Sequence, residues 1–398
     1  MDNPASRLNF RQLSDKLLRH LEASDFSGWD PFDALNSKLF NATPLAQSAT
    51  ARLVWTQLFK RAPINLRPLV GIAPRTNPVT IALAADIYRR DGEIDKAQAC
   101  INRLISMTSN GKEAGSTAWG YPFAWQAKAF YVPNGAANVI ATAYAVRELV
   151  HWKEQMGEPV EQLIAGAANY VALHLMRGSS VGGRYLAYVE NSDAMVHNAN
   201  LWGAYVLAEG WKVTGRHAWL ALARSSVTHT LRAQSDDGSW PYGEARHHQF
   251  TDGFHTGYVL EALHRIETID RSIEARSGIE RGLDYYLSKL LETDGTARYY
   301  STNRYPIDGN CAAQCIIVLD TLGFLQKHAD LAEKVMQTII ATLWLEKREA
   351  FAYQRTPRFL NRIDYPRWTQ IWLALALRIA AKSLASSTTE EAPQRKQS

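Results

Sequence analysis

The chain has 398 residues, and its 44 basic and 39 acidic side chains give a formal net charge of +5. This mild excess suits an anionic substrate or a position near a membrane, but no basic stripe is interleaved with aromatics, so we expect no nucleic-acid partner. Three cysteines, Cys100, Cys311 and Cys315, are too few for a disulfide framework. The start of the sequence lacks a secretion-signal pattern, and no long uncharged apolar run follows. We therefore expect a cytoplasmic protein with no integral membrane segment.

The first part of the chain predicts a helical N-terminal arm over residues 1–70, followed by a helical hairpin. Asn77-Pro78 places an N-cap residue before a proline at the first helical position. We expect a helix over 79–90, a turn at Asp91-Gly92 and a partner helix over 96–107.

Five further units follow, and in each an aromatic turn leads into a polar cluster that opens an apolar helix. The turns recur at similar intervals, at Trp119, Tyr185, Trp240, Tyr299 and Tyr353. The polar clusters that follow them occupy residues 134–138, 197–202, 252–258, 308–310 and 364–368. A repeat of this length indicates one supersecondary unit used several times.

The helix after each polar cluster is apolar around most of its circumference, which is typical of a buried helix. We expect such inner helices over 136–149, 200–212, 257–269, 311–325 and 368–381. The intervening helices, over 161–176 and 272–291 for example, mix charges with apolar stripes, as outer helices do.

Six inner and six outer helices predict an all-α fold, an (α/α)6 toroid, over residues 71–382. A single hairpin cannot bury its apolar face, whereas a closed ring of six buries a continuous core. In such a ring the polar clusters meet at one mouth. The alternative is an open α-solenoid with polar helix caps and no pocket. The polar stretch 383–398 is predicted to be a disordered tail.

Turns rich in Trp and Tyr beside amides and carboxylates suit a carbohydrate ligand. Sugar C–H faces pack on aromatic rings, and binding pockets combine apolar walls with a few converging polar groups. For any one of these residues, structural packing is the alternative interpretation. The candidate substrate-binding residues of the repeats are Trp119, Tyr121, Trp125, Asn198, Trp202, Trp240, Tyr242, Tyr258, Asp308, Tyr365 and Trp368.

Glu244 and Asp252 form the best candidate pair of catalytic carboxylates, around a loop that contains His247 and His248. Two carboxylates across a glycosidic bond can act as general acid and base, and their separation decides inversion or retention. Asp252 could instead be a helix N-cap, and Glu244 a turn carboxylate that binds the backbone.

His197 and His255 lie at near-equivalent positions, at the starts of two inner helices, and are candidate catalytic bases. The positive end of a helix lowers the pKa of a histidine and favours the neutral base that proton abstraction needs. The alternative is that each is a capping or core histidine.

Arg362 and Arg367 flank Asp364 and are candidate substrate-binding residues. A guanidinium group recognises a carboxylate or phosphate with two parallel hydrogen bonds, so they could clamp a uronic acid or a nucleotide sugar. An ion pair with Asp364 or Asp308 is the alternative.

No metal site and no cofactor are predicted. His247 and His248 lie near Glu244 and Asp252, but the sequence has no His-x-x-x-His or Cys-x-x-Cys motif. Neither a phosphate-binding glycine-rich loop nor a G-x-S-x-G motif is apparent.

Three stretches resemble signatures of a bacterial family found among polysaccharide-biosynthesis genes, some members of which are labelled aminolevulinate dehydratase. They are 29–37 (WDPFDALNS), 64–68 (INLRP) and 252–258 (DGFHTGY), and the resemblance covers nearly the whole chain. It implies a role in polysaccharide biosynthesis but no particular reaction. The dehydratase label does not fit, because that enzyme is an (α/β)8 barrel with a Schiff-base lysine and the polar clusters here contain no lysine.

More distantly, the predicted toroid is similar to six-hairpin glycosidases, unsaturated glucuronyl hydrolases, polysaccharide lyases, N-acylglucosamine 2-epimerases and the helical domain of glucuronyl C5-epimerases. The Asp-Gly-Ser-Trp turn at 237–240 also resembles the repeat of terpene cyclases and prenyltransferases. Similarity of fold does not fix function.

The first functional hypothesis is therefore an enzyme that acts on a glycan or sugar intermediate of exopolysaccharide, capsule or O-antigen assembly, by hydrolysis, lysis or epimerisation. The second is a non-catalytic module that binds a glycan or other polysaccharide-biosynthesis proteins. The third is an enzyme of terpenoid or prenyl groups, which a cleft lined mainly by carbon, with no polar floor, would favour.

Overall fold

The computed structural model describes residues 9–110, 115–127, 131–179 and 182–390. Residues 1–8 of the expected arm and 391–398 of the expected tail lie outside the described residues. The α-helices are α1 Phe10–Ala23, α2 Lys38–Asn41, α3 Ala49–Arg61, α4 Pro78–Asp91, α5 Ile94–Ser106, α6 Val139–Leu149, α7 Lys153–Met156, α8 Glu158–Tyr170, α9 His197–Thr214, α10 His217–Arg232, α11 Gly253–Ile269, α12 Arg276–Lys289, α13 Gly309–Thr321, α14 Ala329–Leu343 and α15 Ile371–Glu390.

The longer helices form two concentric rings, which confirms the predicted (α/α)6 toroid. The inner ring is α4, α6, α9, α11, α13 and α15; each of these contacts the next, and α15 contacts α4. The outer ring is α5, α8, α10, α12, α14 and α1. The closed inner ring rules out the open solenoid. Within the described residues, no helix is both long and apolar enough to cross a membrane.

Helix α1 is the outer partner of α15, so the start of the chain completes the sixth hairpin. Its buried stripe Leu13, Leu17 and Leu21 has the spacing of one helix face. The Ser14 hydroxyl donates a hydrogen bond to the Ala374 carbonyl at 2.9 Å. Part of the segment 1–70, expected as an arm, is therefore a structural member of the ring. At the other end, α15 continues to Glu390, into the segment expected to be a disordered tail.

Short antiparallel strands form the turns between the helices. Two-stranded ribbons pair β1 with β2, β3 with β4, β5 with β6, β7 with β8 and β11 with β12, and a four-stranded sheet has the order β14-β13-β10-β9. The strands are β1 Ser27–Gly28, β2 Arg75–Thr76, β3 Ser109–Asn110, β4 Thr117–Ala118, β5 Trp125–Gln126, β6 Tyr131–Val132, β7 Met176–Gly178, β8 Arg184–Leu186, β9 Arg298–Tyr300, β10 Asn303–Asp308, β11 Trp344–Leu345, β12 Ala350–Phe351, β13 Gln354–Arg355 and β14 Leu360–Asn361.

Four inner helices begin at a capped Asn or Asp, which explains part of the repeated polar clusters. The side chains of Asn77, Asn138, Asp252 and Asp308 each accept a backbone N–H from the first turn of α4, α6, α11 and α13. Such caps satisfy backbone donors that a helix start leaves free. The cap expected at Asn77 is confirmed.

Inside the ring, two layers of side chains join the inner helices, including pairs that are not neighbours. In the first layer Tyr144 of α6 meets Trp372 of α15 edge-on, with ring centroids 5.4 Å apart. In the second layer Arg147 of α6 contacts Asp86 of α4 and Glu261 of α11, both at 3.4 Å. Aromatic packing and a buried ion network thus fill the ring below its mouth.

Candidate functional site

A cavity of about 290 Å³ opens at the end of the ring where the inner helices start. Every inner helix, or the turn that leads into it, contributes to its lining, so the polar clusters meet at one mouth, as a closed ring requires. Representative lining residues, one from each inner helix in chain order, are Val79, Ile140, Asn198, Phe254, Asn310 and Trp372.

Nine of the seventeen candidate residues line this cavity. They are Tyr121, Trp125, Asn198, Tyr242, Asp252, His255, Tyr258, Arg367 and Trp368. Most of the remaining lining is aromatic: Phe32, Phe123, Tyr144, Tyr188, Phe250, Phe254, Tyr299, Tyr300 and Trp372. The repeat in the sequence identified these residues because each repeated unit places its turn at the same end of the ring.

Asp252 and His255 form a hydrogen-bonded pair at the start of α11. One carboxylate oxygen of Asp252 accepts the backbone N–H of His255 at 2.8 Å, and the other lies 2.6 Å from His255 Nδ1. Asp252 is buried, whereas His255 is partly exposed. A carboxylate at Nδ1 fixes the tautomer of the imidazole and orients its Nε2, as in acid–base catalysis. Asp252 is therefore both the expected N-cap and a positioning group.

The cavity also holds buried polar atoms that lack hydrogen-bond partners among the described residues. These are the Asn198 Oδ1 atom and the Tyr144 hydroxyl, on side chains that are almost fully buried. Burying a polar group without a partner is costly. A ligand with several hydroxyl groups would satisfy both atoms.

Arg367 lines the cavity, but its guanidinium group is already paired. It binds both carboxylate oxygens of Asp30, with one N···O distance of 2.9 Å. Its Cζ atom lies 5.0 Å from the centroid of the Tyr121 ring and 5.2 Å from that of Trp368. Although burial opposes its charge, Asp30 keeps the pKa of Arg367 above its usual value. Arg367 thus supports the aromatic rings of the cavity lining, and its role as a carboxylate clamp stays a prediction.

The segment before α4 supplies two lining residues that sequence reasoning missed, Phe32 and Lys60. Lys60 Nζ lies 4.5 Å from the centroid of the Phe32 ring. Among the described residues, Lys60 forms no ion pair. Burial lowers its pKa, while the charges of Asp308 and Asp30 oppose that shift. Lys60 is therefore the cationic side chain of the cavity lining that has no carboxylate partner within the described residues.

Two of the three stretches that carry the family resemblance pack together beside the aromatic lining of the cavity. Asp33 accepts a hydrogen bond from Arg67 Nε at 2.6 Å, and Arg67 also donates to the Asp30 carbonyl at 2.7 Å. Asp30 in turn holds Arg367. The WDPFD and INLRP segments therefore anchor the chain that carries Phe32 and Lys60 over the ring.

Glu244 does not line the cavity. Its side chain is 48% exposed, and one of its oxygens lies 2.6 Å from His229 Nε2. The structure thus separates the two members of the predicted carboxylate pair, because the loop after Tyr242 turns Glu244 outward.

His197 is buried behind the cavity wall, and its Nδ1 lies 3.2 Å from the Thr230 hydroxyl. Burial lowers its pKa to about 3. Burial, rather than the end of the helix, keeps this side chain neutral, and it does not line the cavity.

The other candidates outside the cavity lining have structural environments. Trp119 and Trp240 are buried and donate their indole N–H groups to the carbonyls of Leu104 and Thr230. Trp202 is buried against Tyr144. The remaining three are Asp308, which caps α13, Tyr365, which packs on Tyr353, and Arg362, which is exposed. The four aromatic residues thus pack as their alternative interpretation describes, whereas Arg362 forms no ion pair with Asp364 or Asp308 among the described residues.

Within the described residues, no three His, Cys, Asp or Glu side chains come together in a group able to hold a metal ion. The three cysteines are free and buried.

Several solved structures share this fold over most of their length. One is a possible member of the GH105 family from Salmonella enterica subsp. enterica serovar Paratyphi A str. ATCC 9150, with 11% identity, a TM-score of 0.59, and coverage of 97% of this chain and 96% of that chain. Another is an unsaturated glucuronyl hydrolase specific for heparin, with 12% identity, a TM-score of 0.56, and coverage of 96% and 98%.

A third similar structure is a polysaccharide lyase, with 10% identity, a TM-score of 0.57, and coverage of 97% of this chain and 99% of that chain. At such identities the likeness is one of fold. No protein-family model matches the chain, and no curated protein matches it in sequence. Membership of the polysaccharide-locus family therefore stays a prediction.

Proposed function

We propose that the protein is a carbohydrate-active enzyme that abstracts a proton from an acidic sugar bound in the aromatic cavity, as a uronate lyase or epimerase does. The observation that carries this proposal is the Asp252–His255 pair, which faces a cavity whose lining also contains Lys60. The fold shared with glycoside hydrolases and a polysaccharide lyase supports a glycan as the substrate.

The lining supports a sugar ligand in two ways. Aromatic rings such as Tyr121, Tyr242 and Trp368 offer flat apolar faces to sugar C–H groups, and Asn198 Oδ1 and the Tyr144 hydroxyl need polar partners. A cleft for a terpenoid or prenyl group would not need these polar atoms. They therefore count against the third hypothesis, an enzyme of terpenoid or prenyl groups.

The charges of the lining favour proton abstraction over two-carboxylate hydrolysis. Asp252 is the carboxylate in the described lining, and its two oxygens are used by the helix cap and by His255. Hydrolysis of a glycosidic bond needs a second carboxylate across the bond. Glu244, the predicted partner, lies outside the lining.

In the proposed reaction, His255 Nε2 takes the proton from the sugar carbon next to the carboxylate. Lys60 faces the substrate carboxylate and stabilises the negative charge that spreads onto it. In a lyase, the electron pair of the broken C–H bond then forms a C=C bond, the neighbouring C–O bond breaks, and the leaving oxygen takes a proton. In an epimerase, a proton returns to the same carbon from the other face.

We place this reaction in the assembly of an exopolysaccharide, capsule or O-antigen in the cytoplasm. The support is the resemblance of the WDPFDALNS, INLRP and DGFHTGY stretches to a family from polysaccharide-biosynthesis loci. Other proteins of such a pathway are the expected partners, together with the glycan itself.

The test is incubation of the purified protein in heavy water with polyuronides, neutral glycans and the polysaccharide of the host strain, read by mass spectrometry and proton NMR. The proposal expects an unsaturated chain end or deuterium at the carbon next to the carboxylate. His255→Gln and Lys60→Met should each lower this signal by at least about a hundredfold. Glu244→Gln is the matched control and should retain it.

Hydrolysis of a neutral glycan, or loss of activity in Glu244→Gln, would contradict proton abstraction at His255. Binding of a glycan without any chemical change would favour the second hypothesis, a non-catalytic module. In that case His255→Gln should leave the affinity nearly unchanged, whereas removal of an aromatic face, as in Tyr242→Ala, should abolish binding.

A further inference from the structure

We propose that the outer face of the segment between Asp33 and Asp86 docks on the surface of a membrane that contains anionic lipids. Binding of lipid through this face is a second activity, and it does not depend on the proposed reaction. Its central element is α3, where Val54, Leu58 and Arg61 follow one another at helical spacing and are all exposed.

The first observation is the concentration of exposed aliphatic side chains. Val54 and Ile64 are each 63% exposed, and Leu58 is 53% exposed. The same stretch of chain also exposes three leucines: Leu39, Leu45 and Leu69. Half of the large hydrophobic residues that the described chain exposes thus belong to about a tenth of its length. On α3, Val54 and Leu58 lie one helical turn apart, and contiguous exposed aliphatics of this kind mark an interaction site rather than ordinary scatter.

The second observation is charge. Between Asp33 and Asp86 the sequence contains six basic residues and no acidic residue. The formal net charge of the whole chain is +5, so this segment accounts for all of the positive excess. Of the basic residues, Lys38, Arg61 and Arg75 are exposed. Their charge complements the negative potential of a surface rich in anionic lipids.

The third observation separates this face from the core. The other side of α3 is packed: Phe59 is buried, Trp55 stacks on Phe40 with ring centroids 5.0 Å apart, and the Trp55 indole donates to the Ala34 carbonyl at 3.0 Å. The exposed stripe is therefore not required for packing of α3. An amphipathic element with aliphatic and basic side chains on its free face binds in the plane of a lipid interface.

The arrangement also relates the lipid surface to the cavity. Lys60, which lines the cavity, lies on α3 next to Arg61 of the exposed stripe, and Phe32, which also lines it, directly precedes the segment. Docking through this segment would bring the mouth of the ring close to the lipid headgroups. A substrate held at a membrane would then reach the cavity without leaving the surface.

The experiment is flotation of the full chain with vesicles of phosphatidylcholine alone, or with about 30 mol% phosphatidylglycerol added. We expect binding to the anionic vesicles, and binding that weakens as salt is added, because salt screens the charges. The variant Val54→Ser/Leu58→Ser should bind at least about tenfold more weakly. The matched control Ile94→Ser/Leu173→Ser, which removes exposed aliphatics from α5 and the turn after α8, should bind as the natural chain does.

A second variant, Lys38→Gln/Arg61→Gln, keeps the aliphatic stripe and removes two exposed charges, and should weaken binding to anionic vesicles severalfold. Thermal unfolding of every variant shows whether its fold is retained. The proposal is overturned if neither vesicle binds the protein, or if the variants bind as the natural chain does. It is also overturned if size exclusion shows a dimer that Val54→Ser/Leu58→Ser dissociates, because a second copy would then cover this face.

Discussion

Replacing Asp30 by asparagine tests whether a buried ion pair holds the cavity wall in place. The Asp30 side chain is 7% exposed and that of Arg367 is 11% exposed, and the two make a bidentate pair across the chain. Asparagine keeps the oxygen that accepts the Phe32 N–H but removes the charge. Arg367 then remains as a buried cation without a partner, which costs about 3–5 kcal/mol in free energy of unfolding.

That cost is a large share of the total stability of a typical protein, about 5–15 kcal/mol. The assay is urea unfolding followed by circular dichroism, which gives the free energy of unfolding of each variant. Asp25→Asn is the matched control: Asp25 pairs with Arg103, but its side chain is 78% exposed, so it should lose less than about 1 kcal/mol.

The double variant Asp30→Asn/Arg367→Met should recover part of the loss, because no unpaired charge remains in the wall. Equal stability losses for Asp30→Asn and Asp25→Asn would show that the buried pair contributes no more than an exposed one. A double variant less stable than Asp30→Asn alone would show that the aromatic contacts of Arg367, rather than its pairing, dominate.

Two further predictions concern the ring itself. His197 has a folded-state pKa of about 3, below its usual value, so its contribution to stability is present above about pH 6.5 and is lost as the pH falls toward 3. Between pH 7 and pH 4.5 the free energy of unfolding of the natural chain should fall by about 2–3 kcal/mol more than that of His197→Gln. Urea unfolding at each pH measures this difference, and equal losses would contradict a buried, neutral histidine. Gly257 lets α11 approach α13, because a Cβ there would overlap Gln314 Cγ. Gly257→Ala should therefore destabilise the protein by about 1–3 kcal/mol, and an unchanged melting temperature would show that the helices are less tightly packed.

The sequence was most informative where a pattern is local. The apolar circumference of 257–269 predicted a buried helix, and α11 runs over Gly253–Ile269 inside the ring. The Asn77-Pro78 cap and the Asp91-Gly92 turn fixed the ends of α4 for the same reason. Helix caps and periodicity depend on neighbours a few residues away, so they can be read from one chain.

Long-range pairings were not predictable in this way. Helix α1 closes the ring against α15, and their contact joins Ser14 to Ala374. No local pattern relates segments so far apart. The start of the chain therefore reads as an arm in the sequence, although in the structure it supplies the twelfth helix of the toroid.

In the candidate site, too, features with a local pattern were predictable from the sequence and features that depend on long-range contacts were not. The aromatic turns predicted a lined mouth, and Tyr121, Tyr242 and Trp368 line it. Lys60 could not be found, because it lies outside the repeat, on a segment that long-range contacts such as Asp33–Arg67 hold beside the ring. One signal was present: the WDPFD and INLRP stretches flank Lys60 in sequence. The burial of Trp119 and Trp240 could not be predicted from the sequence either. A tryptophan in a turn has the same local sequence pattern whether it faces a ligand or the core.

A crystal structure of His255→Gln with an acidic oligosaccharide tests substrate binding in the cavity directly, the substitution serving to stop turnover. We expect a sugar ring in the cavity of the toroid, stacked on the aromatic wall, with its carboxylate at Lys60 Nζ and a C–H bond aimed at residue 255. An oligosaccharide bound elsewhere on the surface, or a sugar whose carboxylate points away from Lys60, would contradict it.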